Sequence, residues 1–107
     1  MMDELVRGTL RDASDAPPTG ETTHTVARID GVAIEQILSG TLDAPVAYRA
    51  AVDEWVVVLA GHAELDVDGA DVALAAGDWL LLPAGTPHRL TYTEPGTSWL
   101  TVTGQEP

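Results

Sequence analysis

The chain has 107 residues, no cysteine, and a net charge of -12 that arises from five basic residues, all arginine, against 17 acidic ones. This length fits one domain, and the missing cysteines exclude disulfides, thiolate metal sites and cysteine nucleophiles. Strong negative charge opposes contact with nucleic-acid backbones and anionic lipids, so neither nucleic acid nor a membrane is an expected partner.

Residues 1–23 mix charged, small and proline residues, and "DASDAPPTGETT" is their least regular part. We expect a partly irregular N-terminal arm here, with room for one helical turn or strand, followed by a single folded domain over residues 24–107. The beginning "MMDELVRGTL" is acidic and does not resemble a secretory signal. Because no apolar run approaches the roughly 18 residues that span a bilayer, the expected location is the cytoplasm.

From residue 24 onward, short segments alternate with glycine, proline and aspartate. None has a sustained helical period, whereas "AELDVDG" and "HRLTYT" alternate as half-buried strands do. Asp68 and Gly69 predict a hairpin turn, and further tight turns are expected at Gly77 and from Pro83 to Pro87. Strands at this spacing indicate an all-β sandwich or barrel. The predicted strands are "TVARI", "VAIEQIL", "PVAYRAAV", "EWVVVLA", "AELDV", "DVALA", "DWLLLP", "HRLTYT" and "SWLTVT".

Two spacings on these strands resemble the paired motifs of the cupin family of small β-barrels. In "VDEWVVVLAGHAEL", Glu54 is followed by six residues and then Gly61, as at the end of the first cupin motif. The second motif ends in asparagine, which Tyr92 replaces here, and its fixed glycine, proline, glycine and histidine match Gly77, Pro83, Gly85 and His88. The resemblance covers roughly residues 34–102. It implies a cupin β-barrel, a double-stranded β-helix of jelly-roll type with two antiparallel sheets.

The resemblance also implies a metal site, because a typical cupin binds metal through two histidines and a glutamate of the first motif and the histidine of the second. Glu54 and His88 match two of these ligands, but Tyr48 and Ala50 occupy the positions of the two missing histidines. Tyr48 is a weak candidate, since the pKa of a free phenol lies near 10. Any metal is therefore expected to be a weakly held divalent ion such as Zn, Fe, Ni or Mn at Glu54 and His88. No organic cofactor is expected.

Strand alternation predicts which side chains share the interior. Neighbouring residues of a strand face opposite sides, so Glu54 is expected to point inward and Asp53 outward. Tyr48 lies on the face of Glu54, and Tyr92 shares the face of His88 on the opposing strand. These four side chains are expected to converge on an apolar pocket, which is the usual composition of a small-molecule site. Structural roles stay open for all four. Glu54 can be an acid that pairs with His88, His88 can be fixed by its turn, and the two tyrosines can serve as packing residues.

Three functions are compatible with this pocket, and an enzyme is favoured. In the first, a small molecule binds beside a weakly held metal at Glu54 and His88. In the second, a metal-independent enzyme uses these two residues as an acid–base pair, as isomerases, dehydratases and cyclases require. The third is a non-catalytic ligand-binding or sensor barrel. The substrate is not predicted, because cupin barrels host many unrelated chemistries.

The other aromatic and basic side chains are expected in the wall or on the surface. A sheet with tryptophan and valine on its outer face suggests a partner sheet, and cupins commonly dimerise in this way, so a homodimer is expected. Trp55, Trp79 and Trp99 are interpreted as wall or interface residues, with Trp55 facing away from the pocket. Surface positions are expected for Arg49, Arg89, His24 and His62.

Overall fold

The computed structural model describes residues 5–104, which contain a short 3-10 helix, Ala13–Asp15, and nine β-strands. The predicted all-β class is confirmed, and eight of the nine predicted strand segments form strands over most of their length; in "PVAYRAAV" only Val46–Tyr48 is a strand. No helix within this described part is long and apolar enough to cross a membrane. The strands are β1 (Glu21–Ile29), β2 (Val32–Ser39), β3 (Val46–Tyr48), β4 (Glu54–Ala60), β5 (His62–Val67), β6 (Ala70–Ala75), β7 (Trp79–Leu82), β8 (His88–Thr93) and β9 (Thr97–Thr103).

The strands form two sheets, and all pairings between named strands are antiparallel in residues 5–104. One sheet has the order β1-β2-β9-β4-β7 and the other the order β3-β8-β5-β6. Apolar side chains from both sheets meet in one buried core. The predicted jelly-roll barrel of two antiparallel sheets is therefore confirmed. The core contains Val56, Val58, Ala63, Leu65, Leu74, Leu90 and Trp99.

One tight turn explains how β5 and β6 meet in register. Asp68 and Gly69 have φ angles of 48° and 90° and join β5 to β6, whose end residues Val67 and Ala70 pair. Positive φ at both central residues is the geometry of a type I′ turn, which matches the twist of the two strands. The predicted hairpin is confirmed.

Gly61 carries the chain from the first sheet to the second. Its φ is 89°, and an added Cβ would lie 2.5 Å from Thr97 Oγ1 and 2.8 Å from Thr97 Cα. Both the backbone conformation and the close approach therefore favour glycine. This turn lets β4 and β5 lie in opposite sheets, so that their inner faces meet across the barrel.

The N-terminal arm lies against the outer face of β2 and β9. The backbone N–H of Arg11 donates to Gln36 Oε1 at 2.8 Å, and Gln36 Nε2 donates to Arg11 O at 3.0 Å and to Ser98 Oγ at 3.0 Å. Gln36 is only 2% exposed. Strand β1 begins at Glu21, so regular structure includes the last three residues of the predicted arm.

A bulge in β8 changes the side-chain alternation on which one prediction depended. The pairs Leu65–Leu90 and Glu64–Tyr92 leave Thr91 as an extra residue in β8. Such an insertion reverses the facing of the residues beyond it. Tyr92 consequently lies on the outer side and is 44% exposed. The prediction that it points into the barrel is wrong, because regular alternation does not extend through Thr91.

Candidate small-molecule site

A cavity of about 90 Å³ opens between the sheets at the end where β4 and β8 begin. This volume holds several water molecules or a small organic group, since one water needs roughly 10–15 Å³ of such space. Its walls are mainly apolar, with a few polar side chains between them, which is typical of ligand sites. The lining residues are Glu21, Ile37, Tyr48, Glu54, Val56, Leu65, Leu82, His88, Leu90, Trp99 and Thr101.

Glu54 enters this cavity as the first residue of a central strand. It pairs with Leu82 of β7 and Thr103 of β9, and its side chain faces the interior. Asp53 is exposed and accepts a hydrogen bond from the backbone N–H of Ala84 at 2.8 Å. The predicted orientations, with Glu54 inward and Asp53 outward, are confirmed.

Burial governs the protonation of Glu54. Removal from water raises the pKa of this carboxyl, whereas the nearby His88 and a hydrogen bond donated by Thr103 Oγ1 at 3.4 Å lower it, and the charge of Glu35 raises it further. The net direction is upward. A carboxyl that keeps its proton to higher pH can donate or remove a proton nearer to neutrality.

His88 is oriented by its own turn. The side chain is 7% exposed, and its Nδ1 lies 3.1 Å from the carbonyl oxygen of Thr86. Because a carbonyl only accepts, Nδ1 carries a hydrogen, and in the neutral form of the ring Nε2 is left as an acceptor. No side chain or backbone group of the described residues bonds to Nε2. The ring stacks on Tyr48, with centroids 5.6 Å apart and planes 20° from parallel.

A second polar group in the cavity lining is centred on Glu21. The hydroxyl of Tyr48 donates to Glu21 Oε1 at 2.9 Å, and the hydroxyl of Ser39 donates to Glu21 Oε2 at 2.5 Å. Trp99 Nε1 donates to Ser39 Oγ at 3.0 Å. Burial, followed by the charge of Glu21, raises the pKa of Tyr48 well above its usual range, so Tyr48 is a neutral phenol.

Three of the four predicted pocket residues therefore line one cavity: Tyr48, Glu54 and His88. Tyr92 does not, and its ring lies 6.0 Å from that of His62 on the outer side.

The sequence did not indicate Glu21. The segment "ETTHT" has no apolar alternation that marks a strand, and only the pairing of Glu21 with Ser39 of β2 brings this side chain to the cavity. That pairing joins residues 18 positions apart. No local pattern contains it.

The outer residues lie largely as predicted. Trp99 forms part of the cavity wall, while Trp55 and Trp79 contact each other with ring centroids 6.2 Å apart. Arg49 is exposed, and Arg89 pairs with an aspartate. His24 and His62 are less exposed than expected. Each is half-buried, because His62 packs on a tyrosine and His24 lines the groove beneath the arm.

A firmly held metal does not fit these side chains. Within residues 5–104, no three histidine, aspartate or glutamate side chains are grouped to hold a metal ion. Stable sites usually have three or four protein ligands, whereas Glu54 and His88 are two. Tyr48 does not complete the set, since its pKa is raised and its hydroxyl donates to a carboxylate.

Comparisons with known proteins agree on one family. The family model described as "Cupin domain" matches residues 33–103. Among curated proteins, a search finds no match to this chain. A candidate mannose-6-phosphate isomerase from Ralstonia eutropha JMP134 is 31% identical, with a TM-score of 0.77 over 92% of this chain and 100% of that one.

Two more distant structures show the same fold. A cupin superfamily protein from Desulfitobacterium hafniense DCB-2 is 19% identical, with a TM-score of 0.71 over 99% of each chain. KdgF from Halomonas sp. is 18% identical, with a TM-score of 0.65 over 81% of each chain.

Proposed function

This chain belongs to the cupin domain family, and we propose that it binds a small organic molecule in the cavity and that Glu54 and His88 transfer protons to and from it. One observation carries this proposal. His88 is held through Nδ1 by the Thr86 carbonyl, so its Nε2 is a free acceptor in the cavity that also contains a carboxyl of raised pKa.

His88 and Glu54 have complementary roles, one as a base and the other as an acid. Nε2 of neutral His88 removes a proton from the bound molecule, and protonated Glu54 supplies one at another atom of that molecule. The first transfer leaves His88 protonated and Glu54 ionised. His88 then returns its proton to the neighbouring carbon and Glu54 takes one from the hydroxyl of the carbon that was deprotonated first, so both groups are restored and no oxidant or reductant is needed. The apolar walls exclude water from the reacting atoms and maintain the raised pKa of Glu54.

The Ralstonia relative supports this class of reaction. Its name refers to the isomerisation of a sugar phosphate. Aldose–ketose isomerisation moves protons between neighbouring atoms of a hydroxy-carbonyl compound, which is the chemistry that an acid–base pair provides. We therefore favour small, uncharged hydroxy-carbonyl compounds as the first substrates to test, since the cavity of about 90 Å³ has no arginine among its described lining residues to bind a phosphate.

Deuterium exchange tests the proposal directly. Dihydroxyacetone and glyceraldehyde are incubated with the protein in D₂O, and loss of their C–H signals is followed by proton NMR. We expect the wild type to accelerate exchange, and Glu54→Gln and His88→Ala to slow it by about 10² to 10⁴-fold. Glu64→Gln is the matched control, because Glu64 is an exposed carboxylate outside the cavity.

The outcomes separate the alternatives. Exchange that is equally fast in both site variants contradicts the assigned pair. Binding that depends on Glu54 and His88 without any exchange identifies a non-catalytic ligand-binding barrel. Metal analysis of the same samples, purified without chelator, is expected to give well under one transition-metal ion per chain; one ion per chain, lost in both variants, would restore the metal-dependent alternative.

We also propose a homodimer formed through the outer face of β4 and β7. Trp79 is 61% exposed and Leu81 is 55% exposed, and Trp55 packs beside Trp79. A contiguous exposed apolar patch of this kind often marks a protein interface. Sedimentation should show a dimer that Leu81→Glu dissociates and Val26→Glu, at an exposed residue of β1, does not. A monomeric wild type would contradict the proposal.

A further inference from the structure

We propose that Glu21 sets the charge selectivity of the cavity, which takes a small uncharged or positively charged molecule that donates hydrogen bonds and rejects anions. This inference rests on the proposed function only in placing the ligand in the same cavity. It adds a recognition residue and a ligand class.

Glu21 is held as a hydrogen-bond acceptor. Its Oε1 accepts from Tyr48 and its Oε2 accepts from Ser39. Since both oxygens accept, the group is a carboxylate in this arrangement, and each oxygen keeps further lone-pair capacity. The two bonds fix the direction of this capacity before any ligand arrives, which reduces the ordering cost of binding.

The hydrogen-bond donors around Glu21 already donate to one another's groups or to Glu21 itself. The hydroxyl hydrogens of Tyr48 and Ser39 go to Glu21, and the indole N–H of Trp99 goes to Ser39. The Glu21 network can therefore accept hydrogen bonds from a ligand but has no free donor for it. A matching ligand presents O–H or N–H groups there.

The charges around the cavity point in the same direction. Two carboxyl groups line it, those of Glu21 and Glu54, and no arginine is among the lining residues in the described part of the chain. The sequence contains no lysine. The other titratable side chains in the lining are the imidazole of His88 and the phenol of Tyr48. An anion inside the cavity would meet like charge without an arginine or lysine to bind it.

The arginines that are nearby belong to a separate groove. This groove has a volume of about 550 Å³ and lies on the other side of Tyr48 and His88, with Arg49 and Arg89 among its lining residues. Arg89 is paired with Asp66 at 3.1 Å. Anions that bind here would be outside the cavity, so the test needs a reporter within it.

Trp99 provides that reporter, because its indole N–H belongs to the Glu21 network and its side chain lines the cavity. Its N–H signal is identified in spectra of a Trp55→Phe, Trp79→Phe double variant, which retains one tryptophan out of three. Three probes with the same three-carbon skeleton are then titrated: serinol, which is cationic, glycerol, which is neutral, and glycerate, which is anionic.

We expect serinol to shift the Trp99 signal at the lowest concentration, then glycerol, with glycerate about tenfold weaker than glycerol. In Glu21→Gln, serinol should lose about tenfold in affinity and the three probes should become similar. Glu64→Gln, the exposed control, should keep the wild-type order. Added salt should reduce the advantage of serinol in the wild type, which tests the electrostatic origin even if the Gln variant folds poorly.

Three results would overturn the inference: glycerate binding as tightly as glycerol, no response of Trp99 to serinol or glycerol, or a wild-type order in Glu21→Gln. They do not decide the proposed function. Proton exchange that depends on Glu54 and His88 can persist with any order of ligand charge. Conversely, the order can hold in a protein that catalyses no exchange.

Discussion

The two carboxyl groups of the cavity lining, those of Glu21 and Glu54, are held in different ways. Glu21 accepts two hydrogen bonds of ordinary length, from Tyr48 and Ser39. Glu54 accepts one, from Thr103, at 3.4 Å, and burial raises its pKa. Hydrogen bonds to the charged form of a carboxyl favour that form, and Glu54, with one long bond in a buried position, is a carboxyl whose pKa burial raises.

Position in the sheet explains this difference. Glu54 begins the internal strand β4, where its partners are Leu82 of β7 and Thr103 of β9, and the Thr103 hydroxyl makes only the long bond. Glu21 begins edge strand β1, where its partner Ser39 supplies a hydroxyl. An apolar neighbour removes water without replacing its hydrogen bonds, whereas a serine replaces one of them.

The largest effect is expected from the hydroxyl groups that support each carboxyl. Ser39→Ala removes a donor to Glu21 and leaves the buried indole N–H of Trp99 without its acceptor, so the free energy of unfolding should fall by about 1–3 kcal/mol. Thr103→Ala removes only the long bond to Glu54 and should lower it by under about 1 kcal/mol. Urea denaturation measures both, and equal losses would remove the distinction.

A smaller, pH-dependent effect is expected from the carboxyl groups themselves. A raised pKa means that Glu54 favours the fold below its unfolded pKa and loses this contribution as pH rises through its folded pKa. Glu54→Gln should therefore match the wild type near pH 4 and be more stable by at most about 1 kcal/mol near pH 7.5, after allowance for its exposed part.

Glu21→Gln is the counterpart of that variant, and it should be less stable than the wild type near pH 7.5. Its amide nitrogen cannot accept the hydrogen bond that Tyr48 or Ser39 donates to the replaced oxygen. Urea denaturation at both pH values measures the two variants. A Glu54→Gln advantage that shrinks as pH rises would contradict the assigned direction of the pKa.

The smallest effect is expected from Tyr48→Phe. The change deletes the hydroxyl that donates to Glu21 but keeps the ring that stacks on His88. Because Tyr48 is 43% exposed, the free energy of unfolding should fall by about 0.5 kcal/mol, near the lower limit for one hydrogen bond. A loss as large as that of Ser39→Ala would show that Tyr48, not Ser39, is the main support of Glu21.

Much of the fold follows from local patterns in the sequence. Short alternating segments predict the strands, and the Asp68–Gly69 pair predicts a type I′ hairpin. Glu54 and His88 stand at spaced motif positions on two strands, so their facing is also predictable. Each of these features depends on residues close together in the chain.

The failures arise where distant residues decide the outcome. The bulge at Thr91 depends on how β8 pairs with β5, and it moves Tyr92 to the outer side. Glu21 lies in a polar segment whose register is set by β2. The alternation of residues within one strand predicts neither the bulge nor the register of β1, because the pairing partners determine both.

Because Glu21 lies on the edge strand of its sheet, ligand binding in the cavity competes with the local opening of β1. In the described sheet β1 has one neighbouring strand, and just before it the N–H of Gly20 donates to the carbonyl of Thr41. A ligand held by Glu21 binds only while this edge is closed, and therefore adds RT ln(1 + [L]/Kd) to the free energy of opening it. Amide hydrogen exchange along β1 should slow accordingly as the cavity fills.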